Sequence, residues 1–198
     1  MSRGVGEEPR TANTSLIHVI ELPQSAVRPV RVGVTGHTDL GGATSGLVAR
    51  VLREQLRALR ADPDGRNGRE PLPLVGVSCL APGADCLFAD VVLGLGPGCT
   101  LEVVLPSDDY GDWRRPQLDR FDALLHAAGT VRRTGWAQAG PEAYAAANEL
   151  MLDAVDHLVA VWDGVHSPEP GSTAHAVTRA GARRLPVTVL WPEGARRG

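Results

Sequence analysis

Carboxylate and hydroxyl side chains follow the ends of several apolar runs in this sequence, where they could bind or transform a ligand. Asp85, Asp108 and Asp163 each lie in a loop after a predicted strand, and a carboxylate there can act as a general acid or base. Gly171-Ser172-Thr173 precedes an alanine-rich helical segment. Free N–H groups and two hydroxyls at such a helix N-terminus can bind phosphate, and the simpler alternative is an ordinary N-cap. The pattern favours a phosphate-binding loop.

His37 and Asp39 follow the first predicted core strand, directly after a Thr-Gly turn. They either pair as a base and its orienting carboxylate, or His37 serves the turn as a hydrogen-bonding residue. Asp163 presents a similar choice between a ligand hydroxyl and a turn amide. His166 and His175 flank the last loop, but no further ligand is evident beside them, so no metal site is predicted.

The charge pattern excludes several classes of function. The 198 residues carry a net charge of −3, and all 20 basic residues are arginines, which excludes Schiff-base catalysis and a Walker-type lysine. The arginines are scattered, so no nucleic-acid partner is expected. No apolar run approaches the roughly 20 residues needed to cross a membrane, and the N-terminus lacks the order of a signal peptide. We therefore expect no membrane partner and a cytoplasmic location.

The candidate residues must be positioned by the elements around them. Apolar runs of strand type alternate with amphipathic helical segments over residues 29–192, which predicts a single α/β domain: a three-layer sandwich with a mostly parallel sheet and helices on both faces. Residues 1–28 are predicted to form a partly disordered arm with an edge strand at 15–22, and residues 193–198 a C-terminal tail. We predict helices over 41–59, 116–128, 141–155 and 174–184, and strands over 72–78, 101–105, 130–133, 157–162 and 186–191.

Four loops that end predicted strands, 35–39, 79–85, 106–110 and 163–173, share one edge of such a sheet and can converge on a ligand. The structural alternative is that their glycines and prolines only form turns. Gly33-Val34-Thr35-Gly36 lacks the middle glycine of a dinucleotide fingerprint, so nicotinamide chemistry is not expected and no cofactor is predicted. The candidate ligand-binding residues are Thr35, Gly36, His37, Ala81, Gly83, Ala84, Asp85, Pro106, Asp163, Gly164, Gly171, Ser172 and Thr173.

Five motifs occur in order: V-G-V-T-G-H-x-D-L, S-C-L-A-P-G-A-D-x-L-F-A-D, V-V-L-P-x-x-x-Y, L-V-A-V-W-D-G and G-S-T-A-H-A-V. Together they resemble the SLOG superfamily of Rossmann-like proteins, which is related to the "lonely guy" (LOG) proteins and DNA-processing protein A. The resemblance covers residues 29–192. It implies a site for a nucleotide-derived ligand at the strand ends, with phosphate on Gly171, Ser172 and Thr173, where a serine replaces the usual second glycine.

Some members of that superfamily cleave the N-glycosidic bond of nucleoside monophosphates with an arginine on the penultimate helix and a glutamate after the Gly-Thr turn. Here Ala147 and Asn148 occupy the first position and His175 or Ala176 the second. The resemblance thus implies binding or sensing without turnover, with N–H donors at 36–37, 83–85 and 171–173. The alternatives are a nucleotide N-glycoside hydrolase that uses Asp85, Asp108 or Asp163, and a dimerisation unit with a vestigial pocket.

Apolar surface predicts self-association. Strand 15–22 and the helix that carries Tyr144 and Met151 have more apolar residues than a two-sided sandwich needs. We therefore expect a homodimer or a larger homo-oligomer.

Overall fold

One parallel sheet of six strands organises the chain, and the computed structural model describes residues 27–61, 70–111 and 118–198. Runs rich in valine and leucine form these strands, because a parallel sheet covered on both faces buries the side chains that point to either side. The predicted edge strand at 15–22 and the start of the predicted helix at 116 lie outside the described residues. The strands are β1 (Val30–Gly36), β2 (Leu74–Ser78), β3 (Cys99–Leu105), β4 (Thr130–Arg133), β5 (His157–Val161) and β6 (Val187–Leu190).

The strand order is β4-β3-β2-β1-β5-β6, and every pairing is parallel. The chain runs outward from β1 to β4 and then returns to place β5 on the other side of β1, with Gly36 level with Val161. Such a reversal opens a crevice at the carboxyl ends of the two central strands, where open α/β sheets bind ligands.

Helices cover both faces of this sheet. On one face, Val48 and Leu52 of the first helix and Phe88 of the second pack with Val34 of β1. On the other face, Met151 and Ala180, from the last two helices, belong to the same buried cluster as Val77 and Val104. The three-layer α/β architecture is confirmed. The helices are α1 (Gly42–Leu59), α2 (Ala84–Leu93), α3 (Leu118–Ala127), α4 (Pro141–Leu152) and α5 (Thr173–Ala182).

Helix α4 ends earlier than its sequence pattern predicts. It stops at Leu152 rather than near residue 155, because the chain turns at Asp153 and Ala154 and the Asp156 N–H then donates to the carbonyl of Arg31 in β1. Val155 still packs against the same core as Met151. Met151 is fully buried and therefore belongs to the core, whereas Tyr144 is partly exposed; the homodimer or larger homo-oligomer stays a prediction.

Residues 194–198, which we call the strap, fold back onto the turn that follows β1. The Gly198 N–H donates to the Asp39 carbonyl at 2.7 Å, and Arg197 forms an antiparallel bridge with Leu40. Arg196 exchanges two hydrogen bonds with the Thr44 hydroxyl. These contacts bring the strap to the sheet edge where the strand-end loops meet. None of the described helices is both long and apolar enough to span a membrane.

Candidate functional site

A cavity of about 750 Å³ opens at the carboxyl ends of β1, β2 and β3, on the side of the sheet that α4 and α5 cover. Its position follows from the strand order, since β1 is where the chain reverses direction across the sheet. Most of the residues selected from the sequence line it, and each of the four predicted loops contributes at least two residues to its wall. The selected residues that line it are Thr35, Gly36, His37, Ala81, Asp85, Pro106, Gly171, Ser172 and Thr173.

The N-terminus of α5 faces this cavity with two backbone donors. Ser172 is the N-cap, and its hydroxyl accepts the His175 N–H at 3.2 Å. The N–H groups of Thr173 and Ala174 precede the first intrahelical bond and have no acceptor among the described residues. The N-cap and the phosphate-binding arrangement are therefore compatible: the serine caps one donor and leaves two for a ligand.

The turn before α5 depends on close packing against α4. Gly171 has a φ of +81°, and a Cβ there would lie 2.5 Å from the Tyr144 Cβ. The Asn148 side-chain amide donates to the Gly171 carbonyl at 3.2 Å. Only glycine combines this backbone conformation with this approach, so Gly171 holds the helix N-terminus at the cavity wall.

A buried hydroxyl lines the same cavity. Thr35 is 7% exposed, and its side chain has no hydrogen-bond partner among the described residues. Burying a hydroxyl without a partner costs roughly 1–3 kcal/mol. Thr35 is therefore suited to bond with a polar group inside the cavity.

Asp85 also lines the cavity, but its carboxylate already serves the loop after β2. It is 4% exposed and accepts the Cys79 N–H at 3.1 Å. This contact ties the first turn of α2 to the end of β2. Asp85 is thus placed to reach a ligand while it fixes the loop.

Gly83 and Ala84 do not line this cavity, contrary to the prediction for them. The Ala84 N–H donates to the His37 carbonyl at 3.0 Å, and a Cβ on Gly83 would lie 2.4 Å from that same oxygen. The His37 N–H is also used, because it donates to the Val161 carbonyl. Hence the main-chain donors predicted at 37 and 84 are satisfied within the protein.

Asp163 and Gly164 likewise do not line the cavity; Asp163 instead binds an arginine of the strap. The Arg197 Nε lies 2.9 Å from Asp163 Oδ2 and its Nη2 3.0 Å from Oδ1. The Val165 N–H donates to Oδ1 at 3.0 Å. Burial tends to raise the pKa of Asp163, but these hydrogen bonds and the nearby His37 outweigh it and lower the pKa to about 2. Asp163 is therefore ionised at neutral pH and is a poor proton donor.

The partner of His37 is Asp163 and not Asp39, which corrects one of the two readings of this turn. His37 Nε2 lies 3.1 Å from Asp163 Oδ1 and 3.2 Å from the Asp163 backbone nitrogen. An Nε2 atom without a proton accepts the backbone N–H there, whereas an Nε2 atom that carries a proton donates to the carboxylate. His37 thus acts as a hydrogen-bonding residue that joins the ends of β1 and β5.

Asp108 is exposed and lies outside the cavity, because its N–H donates to the Trp136 carbonyl and turns the loop after β3 towards β4. Among the described residues, no group of three or more His, Cys, Asp or Glu side chains could hold a metal ion.

Several cavity residues were not identified from the sequence. Tyr144, Ala147 and Asn148 lie on one face of α4 and line the cavity. The periodic pattern predicted Tyr144 and Asn148 only as core-facing residues, and Ala147 and Asn148 were connected with the site only through the resemblance. Tyr110 meets Tyr144 edge to face with ring centroids 6.2 Å apart. Asp39, Cys79 and Glu169 also line the cavity; they lie in the predicted loops but were not named as ligand-binding residues. Trp162 and Arg197 line it from outside the predicted loops.

Comparison with known proteins supports the fold and does not reach a family. No family model matches the sequence, and no curated protein does. A solved structure of DNA processing protein A from Helicobacter pylori is similar, with a TM-score of 0.56, 16% identity, and coverage of 85% of this chain and 69% of that chain. A molybdenum cofactor binding protein from Rippkaea orientalis gives a TM-score of 0.46, 17% identity, and coverage of 82% and 76%. The Rossmann-like fold implied by the motifs is confirmed at this level.

The expectation that the protein has no nucleic-acid partner, which was based on the charge pattern, is wrong. The Helicobacter pylori protein is described by its single-stranded DNA binding mode, and it shares the fold of this chain. Scattered arginines and a net charge of −3 are therefore not sufficient to exclude a nucleic-acid partner for a chain of this architecture.

Proposed function

We propose that the protein binds a nucleotide-derived small molecule in the 750 Å³ cavity and does not turn it over. The observation that carries this proposal is the N-terminus of α5, where Thr173 and Ala174 present N–H groups to the cavity. A helix N-terminus attracts anions through these donors and through its dipole. Thr35 adds an independent indication, because its buried hydroxyl points to a polar ligand at the same place.

The size and the lining of the cavity suit a nucleotide. Ligand sites usually enclose about 300–1,000 Å³ and combine apolar walls with a few polar groups. Tyr110, Tyr144 and Trp162 supply aromatic surface for a planar base. We propose that the phosphate lies against Thr173 and that the base lies towards these rings.

The chemistry of the cavity favours binding over hydrolysis. Ala147 and Asn148 stand where the hydrolases that this sequence resembles carry an arginine-lysine pair, and both line the cavity. Asp163 is engaged by Arg197 and stays ionised. Asp85 is the one carboxylate proposed for catalysis that lines the cavity, and it is the residue on which the hydrolase alternative depends.

The test is thermal unfolding of the protein with AMP, ADP, ADP-ribose and NAD. At least one should raise the midpoint by a few degrees at saturation, since a ligand that binds only the folded state stabilises it. Thr173→Glu should lower the affinity for that ligand at least tenfold, because a carboxylate at the helix N-terminus repels phosphate. Thr178→Glu is the matched control: it places the same charge on an exposed position of α5 outside the cavity and should leave affinity unchanged.

Three outcomes would overturn parts of the proposal. Release of free base during overnight incubation, lost in Asp85→Asn, would replace binding with N-glycoside hydrolysis. No stabilisation by any nucleotide would favour the vestigial pocket. A single-stranded oligonucleotide belongs in the same panel because of the shared fold, and oligonucleotide binding that Thr173→Glu leaves intact, without binding of the small nucleotides, would assign the ligand to another surface.

A further inference from the structure

Arg197 reaches the cavity because the strap holds its backbone in place. Its neighbours on both sides are fixed to the turn after β1, through Gly198 N–H to the Asp39 carbonyl and through Arg196 to the Thr44 hydroxyl. The bridge to Leu40 fixes Arg197 itself. A flexible surface arginine would lose side-chain and backbone entropy on binding a ligand. In Arg197 most of this entropy is already lost on folding, because the strap and Asp163 fix its backbone and side chain.

Asp163 uses only one side of the guanidinium. Its two oxygens lie 2.9 Å and 3.0 Å from Nε and Nη2 of Arg197. A guanidinium has five N–H donors in a rigid plane, so Nη1 and the remaining Nη2 hydrogen are directed away from that carboxylate. The Arg197 side chain is 44% exposed, and the residue lines the cavity.

The charges around the cavity make this arginine important for any anionic ligand. Asp39, Asp85 and Glu169 line the wall, and Arg197 is the only arginine among the described residues that do so. Without it, no arginine among the described lining residues would offset these three carboxylates, which repel a phosphate. An arginine held by one carboxylate also remains oriented for a second anion, because its planar fork binds oxyanions through paired N–H groups.

We propose that Arg197 binds an anionic group of the ligand directly, so that the strap is part of the binding site and Asp163 is the residue that positions it. This inference rests on the proposed function, because it assigns a contact to the phosphate of the nucleotide. It adds to the site a residue from outside the strand-end loops. It also explains the ion pair between Asp163 and Arg197, because the carboxylate orients the arginine.

The test compares phosphorylated and unphosphorylated probes. Affinities of AMP, ADP and adenosine are measured by calorimetry for the wild type, Arg197→Gln and Arg196→Gln. Arg197→Gln should lower the affinity for AMP, for ADP or for both about tenfold and leave the affinity for adenosine unchanged. A loss for ADP alone would indicate that Arg197 contacts the second phosphate, and a loss for both that it contacts the first. Arg196→Gln removes the same charge from an exposed neighbour outside the cavity, and it should change affinity less than twofold at physiological salt.

The outcomes separate this inference from the proposed function. If the wild type binds none of these three probes and neither ADP-ribose nor NAD, both fail together; if it binds only ADP-ribose or NAD, that nucleotide takes the place of AMP and ADP in the comparison. If it binds AMP or ADP and Arg197→Gln leaves both affinities unchanged, only the role of Arg197 is overturned. Equal losses for AMP, ADP and adenosine would also overturn it, since they would mean that the guanidinium contacts the base or shapes the cavity. Thermal unfolding of both variants verifies that they are folded.

Discussion

Helices α2 and α5 begin in the same way and use their N-termini differently. Each follows a strand and a glycine with positive φ, Gly83 at +70° and Gly171 at +81°, and both N-termini lie at the same edge of the sheet. The α2 N-terminus is closed by the protein, because the Ala84 N–H bonds to the His37 carbonyl at 3.0 Å. The α5 N-terminus faces the cavity at Thr173. A glycine turn before a helix thus indicates a possible anion site but does not decide whether the protein itself occupies it.

The two glycines also have different neighbours. A Cβ on Gly83 would meet backbone oxygens, His37 at 2.4 Å and Thr38 at 2.7 Å, whereas a Cβ on Gly171 would first meet the Tyr144 side chain. The first turn and α2 are therefore locked main chain to main chain. Helix α5 is instead positioned by side-chain packing against Tyr144. Its N-terminal N–H groups therefore stay available to a ligand.

The largest effect should come from Gly83→Ala. Alanine would have to adopt the positive φ of this position, and its methyl group would overlap the His37 carbonyl. We therefore expect a loss of about 3 kcal/mol in the free energy of unfolding. Gly96→Ala is the matched control, since Gly96 has a φ of +94° with nothing within 4 Å of the added Cβ. It should cost only about 1 kcal/mol. Urea unfolding of both variants measures the difference, and equal losses would mean that the close approach at α2 is unimportant.

A smaller effect is expected from Ser172→Ala at the other helix. The serine hydroxyl caps α5 by accepting the His175 N–H, whereas α2 has no side-chain cap. Loss of an N-cap serine typically costs about 1 kcal/mol. Thr178→Ala, an exposed change on the same helix, should stay within about 0.5 kcal/mol of the wild type. If denaturant unfolding shows no loss for Ser172→Ala, the donors at this N-terminus are satisfied by other means.

The sequence predicts the parts of this structure that depend on local patterns. Alternating strands and helices identify the sheet, and the strand-end rule brings Thr35, Asp85 and Thr173 to one cavity. The bond from Ala84 to His37 was not predictable, because it depends on how closely two loops approach in the folded chain. Arg197 was missed for a related reason: a tail rich in Gly and Arg carries no periodic signal, and its position follows from a bridge to Leu40 far away in the chain.

Charged side chains hold α5 in place, whereas apolar burial holds α2. Seven residues of α2 are buried, and only three alanines of α5 are. Glu149 of α4 instead binds Arg179 of α5, with Nε to Oε1 at 2.7 Å, and it also binds Arg183. The hydrogen bond from Arg179 is the main cause that lowers the pKa of Glu149 to about 2; burial opposes it and Arg183 adds to it.

The smallest expected effect is a pH dependence that separates the two helices. Because the pKa of Glu149 is lower in the folded chain than its ordinary value of 4.5, its contribution to stability is complete above about pH 4.5 and is lost as the pH falls through about 2. Partly exposed pairs of this kind contribute less than about 1 kcal/mol, so the protein should stay folded while α5 loosens. Amide hydrogen exchange, corrected for intrinsic rates, should show protection in α5 falling before protection in α2 as the pH falls from about 4.5 to about 2. Glu149→Gln should show the weaker protection of α5 already at pH 7, and this protection should no longer depend on pH. If both helices lose protection together in the wild type, the ion pairs do not hold α5 independently of the core.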